Sequence, residues 1–291
     1  MKNITPLLII ILFTSCNSNH KENKVSSEIR TDNDLGKLNL KGSVKSIKQI
    51  PYDAFDIFGE LQKGEVNNVG STYFFLEFNE YGNEIEKLYY NSDGTVDDKW
   101  ITKYDEEGNE IENNNFSSDG SLLLKLIHKF DNKGHRIESS TYNSDGRVNS
   151  NSTHKYDEKG NYIESISHIS DGYSAKKETY SYDDNGNVIE KNGYEADGSL
   201  RFKFLFHYDD KGNKIEDNYI TSDHTRNSTF KYDNKGNVIE ELESINKSES
   251  ILNKYTYEYD EKDNWIKKVV YKNLTPTVIL ERDIVYYELN E

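Results

Sequence analysis

Residues 104–129 read YDEEGNEIENNNFSSDGSLLLKLIHK, and the same grammar returns along most of the chain. Its marker ring falls at Phe78, Tyr104, Phe130, Tyr156, Tyr182, Tyr208, Tyr232 and Tyr259, at spacings of 26 five times, then 24 and 27. A period of that length is the signature of a repeat architecture, in which one supersecondary unit stacks on the next. Each copy holds two apolar runs and two turn signals, hence two strands and two turns. In the first turn, Asp-x-x-Gly-Asn, the aspartate supplies an acceptor for nearby amides and the glycine takes a left-handed backbone. Gly82, Gly108, Gly134, Gly160, Gly186, Gly212 and Gly236 fill that slot. The second turn is Asp-Gly, at 93–94, 119–120, 145–146, 171–172 and 197–198, which reads as a two-residue hairpin loop. Asp223-His224 replaces it in the copy that is two residues short, where a bulge or altered register is expected.

If a four-residue loop alternates with a two-residue loop, every strand residue faces the same repeat position on both neighbours. One face then carries Ile85, Ile111, Ile137, Ile163, Ile189, Ile215 and Ile239 with His128, His154, Tyr180, Phe206 and the marker tyrosines. The other carries Glu86, Glu112, Glu138, Glu164, Glu190, Glu216 and Glu240, diagonal to Lys103, Lys129, Lys155 and Lys231. Sixteen or so strands exceed the roughly ten that an open twisted sheet tolerates. The expected fold is therefore all-β: an antiparallel meander of about eight 26-residue hairpin repeats, curled into a spiral, trough or open barrel. Capping strands are expected at 38–77 and 265–291, flanking repeats over 78–264.

Hydrophobic residues are 34% of the 291 and charged residues 30%, too polar for a thick core, yet 22 Tyr and 12 Phe are too many for a disordered chain. A thin, regular aromatic layer reconciles the two. The net charge of −16 repels phosphate backbones, so nucleic acid is not an expected partner. Residues 1–16, MKNITPLLIIILFTSC, hold an apolar run too short to cross a bilayer but placed as a secretory signal is. Phe13-Thr14-Ser15-Cys16 resembles a bacterial lipobox, which implies a signal peptide over 1–15 and lipidation of Cys16, the one cysteine. Internal disulfides and cysteine chemistry in the folded part are thereby excluded. Residues 16–37, rich in Asn, Ser and charge, read as the lipidated cysteine and a flexible tether to the membrane.

Tyr-Asp-x-x-Gly-Asn-x-Ile-Glu, followed by Asp-Gly and a strand ending in Lys-Tyr-Asp, resembles the YD repeats of RHS proteins over about residues 78–265. The resemblance implies a strip of β-hairpins that winds into a shell, used in secreted and surface proteins of bacteria. The chain lacks the length and the proline-containing self-cleavage region of the large toxin-enclosing members, so the small RHS-like lipoproteins are the nearer comparison.

No nucleophile elbow, HExxH, phosphate loop or EF-hand spacing occurs, and the Asp/Asn/Gly clusters are explained by turn chemistry. No catalytic residue, metal or cofactor is expected. His128 and His154 sit at equivalent positions two strand spacings apart, about 9.5 Å, too far to share an ion, and are expected as packed or exposed rings. Aromatic rings on a concave sheet can stack on sugars or grip peptides, and Trp100, with Tyr104 and Tyr89 beside it, is the candidate ligand-binding group. The expected function is that of a lipid-anchored lipoprotein of the bacterial cell envelope, at the outer membrane facing the periplasm or at the cell surface. Its sheet serves as a non-catalytic binding or scaffolding surface for protein or glycan. The alternatives are an immunity or accessory role in an RHS-type antagonism system and, behind it, a glycan-active enzyme.

Overall fold

The computed structural model describes residues 33–68, 72–170, 176–246 and 249–288. Cys16, the signal peptide and most of the tether lie outside the described residues. The elements are α1 (Asp34–Lys37), β1 (Val44–Ile57), β2 (Glu60–Val66), β3 (Phe74–Phe78), β4 (Glu84–Tyr90), β5 (Val96–Tyr104), β6 (Glu110–Ser117), β7 (Leu122–Phe130), β8 (Arg136–Asn143) and β9 (Val148–Tyr156). They continue with β10 (Tyr162–Ile169), β11 (Lys176–Tyr182), β12 (Val188–Tyr194), β13 (Leu200–Tyr208), β14 (Lys214–Ile220), β15 (Thr225–Tyr232), β16 (Val238–Ile245), β17 (Glu249–Tyr259), β18 (Trp265–Lys272) and β19 (Thr275–Tyr286). From β3 to β19 each strand pairs antiparallel with the next, and β1 pairs with both β3 and β19. The meander is thus a closed ring of eighteen strands. β2 stands outside the count, paired with the second half of β1.

Closure follows from the turns, and here the Asp-Gly expectation needs correction. In the first turn Asp105 N donates to Asn109 O and Gly108 N donates to Asp105 O. In the second, Ser117 N donates to Ser121 O and Gly120 N donates to Ser117 O, the same pattern. Gly108 and Gly120 share φ 84°. Both loops are type I turns followed by a left-handed glycine, so the Asp-Gly loop is not the two-residue form. Aspartate serves each from a different position: Asp105 Oδ1 accepts from the amides of Glu107 and Asn109, whereas Asp119 Oδ1 accepts from Ser121 N and Ser117 Oγ. A register shift accompanies each, at Lys103/Tyr104 and at Asn115/Phe116. At Thr221–His224, where a bulge or altered register is expected, the register alters and no bulge forms. Thr221 N donates to His224 O, and β14 pairs with β15 without any shift. The slip in the period removes a bulge there instead of adding one.

The bulges abolish the uniform register. Direct partners run Lys103, Glu112, Ile127, Ser140, Asn151, His168, a drift of two residues from the 26-residue period at each step, down on strands of one direction and up on the other. One residue of stagger, about 3.3 Å, against a strand spacing of about 4.8 Å tilts the strands by about 35°, the inclination at which sheets close into barrels. Eighteen such strands enclose a ring about 34 Å across between backbones if circular. Glutamate and lysine are also direct partners, not diagonal ones: Lys103 faces Glu112 and Lys155 faces Glu164. The diagonal place belongs to a second lysine, so that Glu112 lies 2.8 Å from both Lys103 and Lys125.

Residues 33–37, expected as tether, are folded onto the rim. Asn33 caps α1 through Oδ1 to Gly36 N and donates to Tyr81 O, while Leu35 is 3% exposed. Asn39 donates to Lys235 O, and Asn264 Oδ1 accepts from Lys41 N. This segment therefore ties the β3–β4, β15–β16 and β17–β18 turns. On a round ring the first two lie about 29 Å apart, yet six compactly wound residues advance only about 9–12 Å. The rim is drawn in at this seam, and the segment takes the short path across the concave side. Leu35 and Leu40 pack there with Val44, Ile47, Leu76 and Phe78. The face bearing Ile47 and Leu76 is consequently the interior. Its register partners place Lys87, Trp100, His128, His154, Tyr180 and Phe204 inside, and the Glu–Lys ladder outside.

Candidate binding site in the barrel interior

The interior begins with the marker tyrosines. A bulge takes a backbone carbonyl out of the ladder, and at several of the first-turn bulges the marker tyrosine of the adjoining strand supplies its donor. Tyr104, Tyr182, Tyr208 and Tyr232 hydroxyls donate to the carbonyls of Glu84 (2.7 Å), Tyr162 (2.6 Å), Val188 (2.8 Å) and Lys214 (2.7 Å). Tyr104 also donates to Asp34 Oδ2 at 3.2 Å and so joins the barrel to α1. Burial, then the charges of Asp34 and Glu110, push its phenol far up.

On β4, β5 and β6 a recess of about 400 Å³ is lined by Glu84, Lys87, Tyr89, Asp97, Asp98, Trp100 and Asn113. The sheet register builds it: Trp100 lies opposite Lys87 on β4, and Tyr89 opposite Asp98. Thus Trp100 and Tyr89 share one recess. Tyr104 does not: it lines a separate cleft of about 110 Å³ with Asn33, Asp34 and Glu110. Sequence reasoning missed the polar members. Asp98 Oδ1 and Asn113 Oδ1 are buried without a hydrogen-bond partner, while Asp98 Oδ2 accepts from Asn115 at 3.3 Å. Burial raises the Glu84 carboxyl, with Lys87, 3.7 Å away, opposing. The signal was present in the period: this copy places Asp98 and Trp100 where the next has Leu124 and Leu126.

The two histidines are joined after all. His128 Nδ1 lies 2.9 Å from Ser139 Oγ, which lies 2.9 Å from His154 Nε2, and His154 Nδ1 lies 2.9 Å from the Tyr162 hydroxyl. Glu110, 3.6 Å from His128 Nε2, sets the direction. Its carboxyl is held low despite burial by His128 and Asn113, so it stays ionised and favours the proton on His128 Nε2. Ser139 then donates to His128 and accepts from His154, which accepts from Tyr162. Burial, helped by the charge of Arg136, holds His154 below the ordinary imidazole range. The serine on the intervening strand spans the separation that prevents a shared ion.

A family model described only as "Uncharacterised protein" matches residues 127–247. No curated protein matches the chain. Among solved structures the chain is similar to a porin-like protein from Bacteroides uniformis, with 11% identity and a TM-score of 0.43 over 84% of this chain and 98% of that one. A porin-like protein from Bacteroides vulgatus shows 14% identity and a TM-score of 0.32 over 85% and 100%. TcdB2-TccC3 shows 13% identity and a TM-score of 0.30, with 79% of this chain matched to 17% of that one.

Proposed function

We propose that this chain is a lipid-anchored protein of the bacterial cell envelope, related to the small RHS-like lipoproteins, whose barrel binds a saccharide non-catalytically in the Trp100 recess. The observation that carries the reading is the pairing of aromatic faces with unsatisfied acceptors. Trp100 and Tyr89 offer apolar ring faces, and Asp98 Oδ1 and Asn113 Oδ1 lack donors. Buried acceptors without partners cost about 1–3 kcal/mol each, and vicinal hydroxyls supply donors beside a stacking face. Attachment by a lipid on Cys16, not by the barrel, fits the sheet surfaces. A membrane-spanning barrel needs an outward apolar band about 25 Å tall. Here the outer face carries the charged ladder, and the inner face carries Lys87, Asp98, Glu178, Lys191, Asp217 and Glu241 among its rings.

The test is titration of the full chain, in detergent, with a panel of neutral oligosaccharides by calorimetry. At least one binds, and Trp100→Ala weakens it tenfold or more. A panel without a ligand, or equal binding by the variant, refutes the reading. Fatty-acid labelling of wild type and Cys16→Ala tests the anchor, and equal labelling refutes it.

A further inference from the structure

On the interior face, most basic side chains have a carboxylate close by. Lys87 lies 3.7 Å from Glu84, Lys191 3.1 Å from Glu178, Lys214 2.7 Å from Asp217, and Arg226 3.8 Å from both Asp217 and Glu243. Lys268 on β18 and Arg282 on β19 break the rule. Among the described residues neither forms an ion pair. Arg282 stacks over the Trp265 ring at 3.4 Å and donates from Nε to Gln49 Oε1 at 3.0 Å, while its Nη1 is buried with no partner. Lys268 Nζ sits 4.1 Å from the Tyr255 ring centroid and 5.6 Å from that of Tyr257. The carboxylate whose charge reaches it, Glu241, is already engaged by the Tyr255 hydroxyl at 2.8 Å and Asn253 Nδ2 at 3.3 Å.

Two like charges withdrawn from water with no carboxylate between them are costly, and ring faces offset only part of that cost. Burial, then the charge of Arg282, pulls Lys268 down to about 8; burial pulls Arg282 down to about 9. In a chain of net charge −16, carboxylates are abundant, yet none among the described residues closes this pair. We propose that Lys268 and Arg282 form an anion-binding subsite in the barrel interior, which takes a carboxylate or phosphate group.

The register also places the subsite relative to the Trp100 recess. Asp98, Tyr89, Phe74, Gln49 and Arg282 are successive direct partners across β5, β4, β3, β1 and β19. They form one interior row about 19 Å long, four strand spacings. An acidic saccharide lying along this row meets Trp100 with a neutral ring and the two cations with its acid group. That carrier rests on the saccharide reading; the anion subsite itself does not.

The experiment is calorimetric titration of the full chain at pH 6.5 with glucuronate, with inorganic phosphate and with glucose. At least one acid binds saturably, glucose does not displace it, and the preferred acid tells a carboxylate source from a phosphate source. Arg282→Gln and Lys268→Met each weaken that acid tenfold or more. Arg282→Lys, which keeps the charge, gives an intermediate loss should the glutamine variant not fold. Absence of saturable binding by both acids, or equal affinity in the wild type and the two charge-removing variants, overturns the proposal. Retained neutral saccharide binding in Arg282→Gln with lost acid binding separates the fate of the two readings.

Discussion

Ser139→Ala removes the one atom that both histidines share, and its cost follows from the geometry. Two contacts of 2.9 Å disappear, leaving His128 Nδ1 without a donor and His154 Nε2–H without an acceptor. His128 is 8% exposed, so water reaches its ring poorly. An unsatisfied buried group costs about 1–3 kcal/mol; with His128 fully penalised and half-buried His154 partly so, the sum is about 2–4 kcal/mol. Urea unfolding followed by far-ultraviolet circular dichroism measures it as a fall in the midpoint at unchanged slope. Ser152→Ala is the matched control, since it deletes one hydroxyl pair, Ser152–Ser167 at 2.7 Å, in a half-buried setting, and should cost about 1 kcal/mol. A loss below about 0.5 kcal/mol for Ser139→Ala, or one no larger than that of the control, would show that the relay is solvated and the reasoning wrong.

Gly82 and Gly186 have φ 81° and 85°, so alanine strains both, about 1 kcal/mol each by denaturant midpoint. At Gly82 an added Cβ also meets Asn33 Nδ2 at 2.3 Å and Leu35 Cδ1 at 2.9 Å, whereas nothing lies within 4 Å at Gly186. Gly82→Ala therefore costs more and raises protease cleavage near residues 33–40; equal costs would sink the account of the rim. Glu112 is held down to about 2 by the Asn114 amide and by Lys103 and Lys125. A depressed carboxyl contributes stability above its unfolded value of 4.5 that is lost as pH falls toward 2. Glu112→Gln should flatten that part of the pH–stability curve, and an unchanged curve would deny the ladder a role.

Much of this was legible in the period. Asp105, Gly108 and Asn109 can be read as a turn from their chemistry alone, and the alternation of His128, His154 and Tyr180 against the glutamates gives the correct partition of faces. Asp-Gly could not be resolved, because a glycine with positive φ suits both a two-residue loop and a type I turn with a bulge. That single ambiguity decided register, stagger and closure. Leu35 was hidden by its polar neighbours, since a lone apolar residue in a charged stretch says nothing of the rim that it meets. The recess shows a different failure: Trp100 and Tyr89 stand out as rings, but the unsatisfied state of Asp98 and Asn113 exists only once the strands are in register. Lys268 and Arg282 look like ladder cations until their parity is counted from the bulge at Glu258/Tyr259.

The ring is closed by β1 against β19, with Gln49 and Arg282 in contact although 233 residues apart. Local hairpins form in microseconds, whereas a contact of such separation waits on loop closure and arrives late. Until then the strip has two bare edges, the sites at which sheets recruit other chains. Assembly of this protein is therefore a race between its own two ends and a neighbour's.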